Sequence, residues 1–259
     1  MERIAAPVLQ GQKALVTGIA NEHSIAYGCA AAFRKLGADI AVTYLNEKAK
    51  AYVEPLAKEL EASLLMPLDV QKPGQLEEVF QSIGAQWGKL HIVLHSIAYA
   101  PKQDLQGGLL DCSSEGFLLA MDVSCHSFIR MARLAAPLMT EGGAMFAMSY
   151  YGANRVVPNY NVMGPVKAAL EASVRYLAFE LGPKNIRVHA ISPGPIKTRA
   201  AGGLKDFDMM LNEAETQSPV HDLVDIEDVG FATAYLATPF AKRLTGSTFY
   251  VDAGLNIMS

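Results

Sequence analysis

Apolar residues along this chain fall into short unbroken runs. Between the runs lie stretches in which they recur every three or four positions. KALVTG (13–18) ends in glycine and reads as a buried strand. SIAYGCAAAFRKLGA (24–38) follows with helical spacing, and Gly37 stands where a C-cap would. DIAVTYL (39–45) is a second strand, residues 47–62 a helix, SLLMPLDV (63–70) a third strand and residues 74–87 a helix. LHIVLHSIA (90–98) is a fourth strand, and FLLAMDVSCHSFIRMARLAAPLM (117–139) one long helix. GGAMFAMSYY (142–151) is a fifth strand, after which a helix ends near Leu181. IRVHAISPG (186–194) and GSTFYVDAG (246–254) are the sixth and seventh strands.

Strand and helix alternate, and most strands are continuous apolar runs rather than alternating ones. That is the pattern of a parallel sheet covered on both faces. The expected fold is α/β: a single doubly wound (Rossmann-type) domain over residues 1–259, with a seven-stranded parallel sheet and helices on both faces. A ligand then lies beyond the carboxyl ends of the strands.

Composition narrows the classes of function. Of 259 residues, 51% are apolar, ample for one large core, and the formal net charge of −4 offers no positive field to nucleic acid. Cys29, Cys112 and Cys125 are too few and too scattered for a disulfide framework or a zinc site, which fits a reducing compartment. No apolar h-region opens the chain and no apolar stretch approaches a membrane span. These features lead us to expect a cytoplasmic protein with no nucleic-acid or membrane partner.

Candidate chemistry sits where strands end. In VTGIANEHSIAYG, Gly18 permits a turn and the helix beginning near Ser24 presents N–H groups to a pyrophosphate. Gly28 is expected to allow close helix–strand contact. At the end of strand two, Leu45 is neither an acid for a ribose 2′-hydroxyl nor an arginine for a 2′-phosphate, which favours NADH over NADPH. Lys48 and Lys50 read as a solvated helix face. Asp69, before Val70, either accepts from an adenine amino group or caps the next helix. His95 in LHSIAYAP reads as a core histidine rather than a catalyst.

The segment SYYGANRVVPNYNVMGPVK (149–167) holds three tyrosines and ends in lysine. Tyr160 and Lys167 are seven apart. On a helix that is two turns, one face and roughly 10 Å along the axis. Such a separation suits a lysine on the cofactor ribose and a phenol on the substrate. A buried ammonium nearby would push Tyr160 toward phenolate. After strand six, AISPGPIKTRAAGG places Ile196 and Thr198 where they reach a nicotinamide carboxamide. Leu204, Phe207, Met209 and Met210 then suggest a lid, at about 199–218, over a greasy substrate.

Together these motifs resemble the short-chain dehydrogenase/reductase superfamily. More narrowly, TGIANEHSIAYG, HSIAYAP, RVVPNYN, the Tyr-x6-Lys of YNVMGPVK and GPIKT are similar to bacterial enoyl-[acyl-carrier-protein] reductases of the FabI type, over nearly the whole chain. Ordinary superfamily members have Tyr-x3-Lys and lack the first tyrosine. The resemblance implies a homotetramer that uses NADH to reduce trans-2-enoyl thioesters on acyl carrier protein in fatty acid synthesis.

It also implies site residues. Gly18, Ser24 and Ile25 fall on the cofactor loop, Leu45 on the adenosine position, Asp69 and Val70 on adenine contacts, and Ile97 on the strand-four contact. Ile196, Lys197, Thr198, Arg199 and Ala200 fall on the nicotinamide loop, and Lys167 on the ribose-binding lysine. Ala100 matches a substrate contact, and Tyr150 and Tyr160 the two active-site tyrosines.

Five positions depart from the family pattern. Pro165 lies inside the Tyr–Lys interval, so the helix is expected to begin near Asn161 or Val162 with a distorted first turn. Leu45 replaces a common polar residue, and Ala98 a glycine beside the place where planar inhibitors such as triclosan stack. His221 and Asp222 stand where many relatives have two arginines, which weakens docking of an acidic carrier protein. Arg199, Lys205, Lys242 and Arg243 are the remaining basic candidates. Two other readings stay open. One is a paralogue acting on another enoyl-CoA, an enone or a ketone; the other is a cofactor-binding regulator without turnover.

Overall fold

A computed structural model describes residues 8–199, 201–203 and 206–258. Seven strands form one parallel sheet in the order β3-β2-β1-β4-β5-β6-β7. They are β1 (Lys13–Thr17), β2 (Asp39–Tyr44), β3 (Leu64–Pro67), β4 (Ile92–His95), β5 (Gly143–Met148), β6 (Ile186–Pro193) and β7 (Thr248–Val251). The register sets Val16 beside both Val42 and Leu94, and His95 beside Ala147. Strand order reverses between β1 and β4. The crossovers leave a crevice there, at the carboxyl ends, which is where such sheets hold ligands.

Both faces of the sheet are buried, which is why the strands carry no polar alternation. Leu15, Val93, Met145 and Val188 point to one side, where Phe128 and Leu170 cover them. Their neighbours Val16, Leu94 and Phe146 point to the other, against Phe33 and Val229. The covering helices include α1 (Ile25–Lys35), α2 (Glu47–Glu59), α3 (Gln75–Trp87), α4 (Lys102–Gln106), α5 (Ser114–Met121), α6 (Ser127–Ala135), α7 (Met163–Leu181), α8 (Phe207–Gln217) and α9 (Ile226–Ala237).

The structure corrects three expectations. The long helix of 117–139 begins earlier, at Ser114, and is interrupted by a π turn at Asp122–His126 before α6. There Ser124 Oγ accepts from Tyr99 N (2.9 Å) and donates to Tyr99 O (3.1 Å), tying the loop after β4 to the helix. π turns of this kind gather at functional sites.

Gly28 serves helix–helix contact, not helix–strand contact. A Cβ on Gly28 would overlap the Ile226 carbonyl of α9, and one on Gly230 would overlap the Gly28 carbonyl.

Helix α9 itself was not foreseen. Its signal was present: Asp225 accepts from Glu227 N (2.7 Å) and Asp228 N (2.9 Å), while Asp228 accepts from Asp225 N (3.0 Å). That is a capping box before an apolar run.

Among the described residues no helix is long and apolar enough to cross a membrane, and no cluster of His, Cys, Asp or Glu could hold a metal ion. Cys29, Cys112 and Cys125 are free thiols.

Candidate active site

The site grows out of the carboxyl edge of the sheet. Gly18 follows β1 at φ 96°, and a Cβ there would overlap the Ser96 carbonyl after β4. Glycine is therefore required for the close approach of these two strand ends. Ser24 is the N-cap of α1 but turns its hydroxyl back into the loop. Its Oγ accepts from Ala20 N and Asn21 N, both at 3.0 Å. No side chain caps α1. Its first turn, beginning at the half-buried Ile25, thus directs backbone donors and the positive end of the helix dipole at the crevice.

The outer strands end on the same edge. Leu45 is 54% exposed just past β2, and Asn46 beside it caps α2 through Ala49 N (3.0 Å). Lys50 turns to Glu47 (3.8 Å) and the Tyr44 ring, as a helix-face lysine does. Asp69 follows β3 and closes a local turn, its Oδ1 accepting from Gln71 N (3.1 Å). It does not cap α3, whose N-cap is Gly74. Val70 is buried, Ile97 is half-buried after β4, Ala98 is exposed and Ala100 is buried.

His95 is fully buried in β4. Its Nε2 lies 2.7 Å from Ser127 Oγ, and its Nδ1 has no hydrogen-bond partner among the described residues. Burial, reinforced by the charge on Lys167, pushes its pKa down to about 3, so the ring is neutral.

The tyrosines meet after β5. The Tyr150 ring stands edge-on to Tyr160, with centroids 4.9 Å apart, and to Tyr151 at 4.7 Å. A Cβ on Gly152 would overlap the Tyr160 ring, so this glycine lets the ring seat. The Tyr150 hydroxyl is sealed from solvent. The Tyr151 phenol approaches it without completing a hydrogen bond of good geometry. Burial raises the pKa of both Tyr150 and Tyr160 well above the usual phenol value.

Tyr160 is not on the helix that carries Lys167, which corrects the two-turn geometry expected from spacing. α7 begins at Met163, one residue beyond the expected start. Before it, Asn159 and Asn161 take positive φ values of 65° and 44°, and Asn161 Nδ2 donates to Leu105 O (2.7 Å). Tyr160 is thus presented by a turn. Pro165 is the third residue of α7, where an absent N–H costs no intrahelical bond.

Lys167 is 5% exposed and donates through Nζ to Met148 O at the end of β5 (2.6 Å). Burial lowers its pKa to about 8, while Cys125 and Glu171 oppose the fall. The expected phenolate at Tyr160 is also corrected. Burial and the Glu171 charge both hold its proton on.

Sequence reasoning missed Glu171. It is 4% exposed, one turn after Lys167, and accepts from Ser149 Oγ (2.6 Å) and Asn154 Nδ2 (3.0 Å). The signal available was its i,i+4 relation to Lys167 on an apolar helix face.

Past β6, Gly194 N donates to Val251 O (2.8 Å). Ile196 and Thr198 are half-buried and close a tight turn, Thr198 N donating to Ile196 O (2.8 Å). Lys197 pairs with Asp208 of α8 (3.2 Å), and Arg199 is exposed. Ala200, Leu204 and Lys205 lie outside the described residues. Between α8 and the Tyr151–Tyr160 segment is a cavity of about 120 Å³, lined by Tyr151, Pro158, Met209, Met210, Asp206 and Glu213. Lys242 and Arg243 are far from this entrance. They precede Thr245 and Gly246, which bond to Val188 near the amino end of β6, the opposite edge of the sheet.

The enoyl-(acyl carrier protein) reductase family model matches residues 18–256. The chain is 45% identical over 252 residues to enoyl-[acyl-carrier-protein] reductase [NADH] 2 of Rhizobium meliloti, covering 97% of this chain and 94% of that protein. It is 42% identical to the NADH reductase FabI of Escherichia coli, with 96% and 95% covered. Among solved structures, the Bacillus cereus enoyl-acyl carrier protein reductase with NADP+ and indole naphthyridinone superposes at TM-score 0.95, with 43% identity and coverage of 97% and 99%. The Anaplasma phagocytophilum reductase with NAD superposes at 0.94, with 42% identity and coverage of 98% and 97%. A seven-stranded doubly wound sheet whose carboxyl edge gathers Gly18, Tyr150, Tyr160 and Lys167, matched along nearly its full length, places this chain in the enoyl-(acyl carrier protein) reductase family.

Proposed function

We propose that this chain is an NADH-dependent reductase of trans-2-enoyl thioesters carried on acyl carrier protein, the reductive step that completes a fatty acid elongation cycle. The observation that carries this reading is Tyr160 itself: a buried phenol, held before α7 and against Tyr150, with Lys167 seven residues on. NADH when bound supplies a hydride, which in this reaction goes to the β-carbon. The thioester oxygen is two bonds farther from that carbon than a ketone oxygen is from its own, so the donor must stand farther from the hydride. A tyrosine in the turn, not on the helix, provides that displacement.

Tyr160 keeps its proton, so it offers the thioester oxygen a neutral O–H donor as enolate charge develops there. The α-carbon proton comes ultimately from solvent. Tyr150 supports that donor from beside it, its ring packed edge-on against Tyr160 and its own hydroxyl sealed from solvent.

The chain fits the cofactor. The uncapped start of α1 at Ser24 and Ile25, beside Gly18, receives the pyrophosphate. Leu45, Asp69 and Val70 would hold the adenosine, and the Lys167 ammonium the ribose. Ile97, Ile196, Lys197, Thr198 and Arg199 would hold the nicotinamide, and Ala100 would touch substrate. Of the expected lid at 199–218, the described helix α8 would cover the substrate, with Met209 and Met210 lining the cavity. Leu118, Ile129, Tyr176 and Phe179 are exposed apolar residues on α5, α6 and α7, surface that a homotetramer would bury. The free cysteines fit the cytoplasm.

The test is NADH oxidation with a crotonyl-carrier protein, crotonyl-CoA and a panel of ketones. Turnover of the crotonyl thioesters, cut by about two to three orders of magnitude in Tyr160→Phe, is expected. Ketone reduction without enoyl reduction would overturn the reading. One observation favours a second reading, an enoyl-CoA or enone as substrate. Residues 206–218 contain four carboxylates and no basic side chain, and Asp222 follows them. With an enone added to the panel, a higher kcat/KM on the crotonyl-carrier protein than on crotonyl-CoA or the enone supports the first reading, and the reverse order supports the second.

A further inference from the structure

Glu171 lies outside the groups that touch cofactor or substrate in the proposed reaction, yet it is a buried charge one helical turn from Lys167 and bonded to the residue before Tyr150. Its Oε2 faces Asn154 Nδ2, an atom that can only donate. Its Oε1 lies 2.6 Å from Ser149 Oγ, the short separation of a hydroxyl donating to a charged oxygen. The side chain is therefore an acceptor at both oxygens. Ser149 immediately precedes Tyr150, and its backbone N–H donates to Ile191 O (2.7 Å) in β6. Asn154 ends the turn Tyr151–Ala153, and its Nδ2 also reaches Tyr250 Oη (3.2 Å) on β7. One carboxylate on α7 thus fastens both ends of the segment that carries Tyr150 and Tyr151.

We propose that Glu171 is a positioning residue of this reductase site: its carboxylate locks the Tyr150–Asn154 segment onto α7 and sets a fixed negative charge one helical turn from Lys167. The proposal rests on the enoyl reductase reading for its effect on turnover, but its effect on Lys167 stands without it.

The groups facing Lys167 come from four elements. Cys125 lies on the π turn, His95 on β4, Glu171 on α7 itself and the Met148 carbonyl on β5. His95 is neutral and the Cys125 thiol is raised by burial, so neither supplies a standing negative charge. Glu171 is left to offset the desolvation of the ammonium. Tyr160 feels the same carboxylate, which disfavours its ionisation. Asp252, Glu213 and Arg155 act on Tyr150 or Tyr151, at the far side of the segment.

Glu171→Gln removes the charge while keeping the shape. Lysine Cε resonances of ¹³C-labelled protein, with Lys167 assigned by its loss in Lys167→Met, report the ionisation directly. The Lys167 midpoint is expected to fall by about one pH unit in Glu171→Gln. The alkaline limb of kcat/KM for NADH oxidation should move down with it. A parent protein that titrates this way but reduces no enoyl thioester would sink the reductase reading and leave the role of Glu171 toward Lys167 standing. An unchanged midpoint in a folded Glu171→Gln protein would overturn the proposal. Ser149→Ala and Asn154→Ala separate the mechanical part and serve where Glu171→Gln does not fold. Each keeps the carboxylate, so turnover should drop about tenfold while the Lys167 midpoint and the NADH dissociation constant stay put. Full turnover in both would refute the fastening role.

Discussion

The rings of Tyr150 and Tyr160 meet edge-on at 61°, with centroids 4.9 Å apart, although ten residues separate them in the chain. Gly152 between them leaves room for the Tyr160 ring. In the proposed reaction Tyr160 is the donor to the reacting oxygen, and Tyr150 packs against its ring. Tyr160→Phe should lower kcat by about two to three orders of magnitude with NADH affinity little changed, because a lost oxyanion donor is worth ~3 kcal/mol. Steady-state kinetics and NADH fluorescence titration decide it. A Phe variant with full turnover would remove Tyr160 from the mechanism.

Gly152→Ala tests the seating of that ring. The added methyl must displace the Tyr160 ring or shift the turn at Tyr151–Ala153. Overpacking of this kind costs about 1–3 kcal/mol. The expected result is a loss of kcat larger than any loss of thermal stability. Equal activity in the variant would show that the ring has slack.

Lys167 gives the site an alkaline limit. Burial depresses its pKa from 10.5 to about 8, so the folded state sheds this proton before the unfolded chain does. Between those pH values the unfolded chain holds more protons, and folding stability from this group rises with pH. Function goes the other way: cofactor affinity should weaken as pH passes about 8. A plot of NADH dissociation constant against pH should break there in the parent and run flat in Lys167→Met. A parent curve without the break would separate Lys167 from the cofactor.

Acid acts through the buried histidines. Burial pushes His95 to about 3, and burial with the Arg187 charge pushes His189 to about 4. Both are depressed bases, so the unfolded chain binds more protons than the folded one between about pH 3 and 6.5. Stability should fall as pH drops through that window. Thermal melts at pH 5 and pH 7 should differ less in His95→Asn than in the parent; an identical difference would contradict the assignment.

Helix α8 predicts an unusual salt response. Asp208 of α8 pairs with Lys197 at the mouth of the site, and nothing basic accompanies it on residues 206–218. Toward an acidic carrier protein this face repels, so kcat/KM for a carrier-bound substrate should rise with added salt. Asp208→Lys should raise it at low salt while leaving the rate on a small enoyl thioester nearly constant. A fall of kcat/KM with salt in the parent would mean that another, positive face receives the carrier.

The chain's pattern alone was enough for the sheet. Seven apolar runs separated by helical periods admit few arrangements other than a parallel sheet buried on both faces, because each strand must hide two sides. Gly18 was legible because its strand end needs a glycine, whereas Lys167 and the Tyr150–Tyr160 segment stood out only through their place among the other motifs. Other features depended on parts of the chain meeting from a distance. Gly28 faces α9, nearly two hundred residues away, and no local signal distinguishes that contact from one with a strand. Tyr160 left the helix because two asparagines take left-handed backbone and Pro165 fits only in the first turn, so the helical spacing argument failed there. Glu171 reads in sequence as an ordinary helix glutamate. Only the fold encloses it between Ser149 and Asn154 and removes the water that would screen it, and burial is what gives its charge reach over Lys167 and Tyr160.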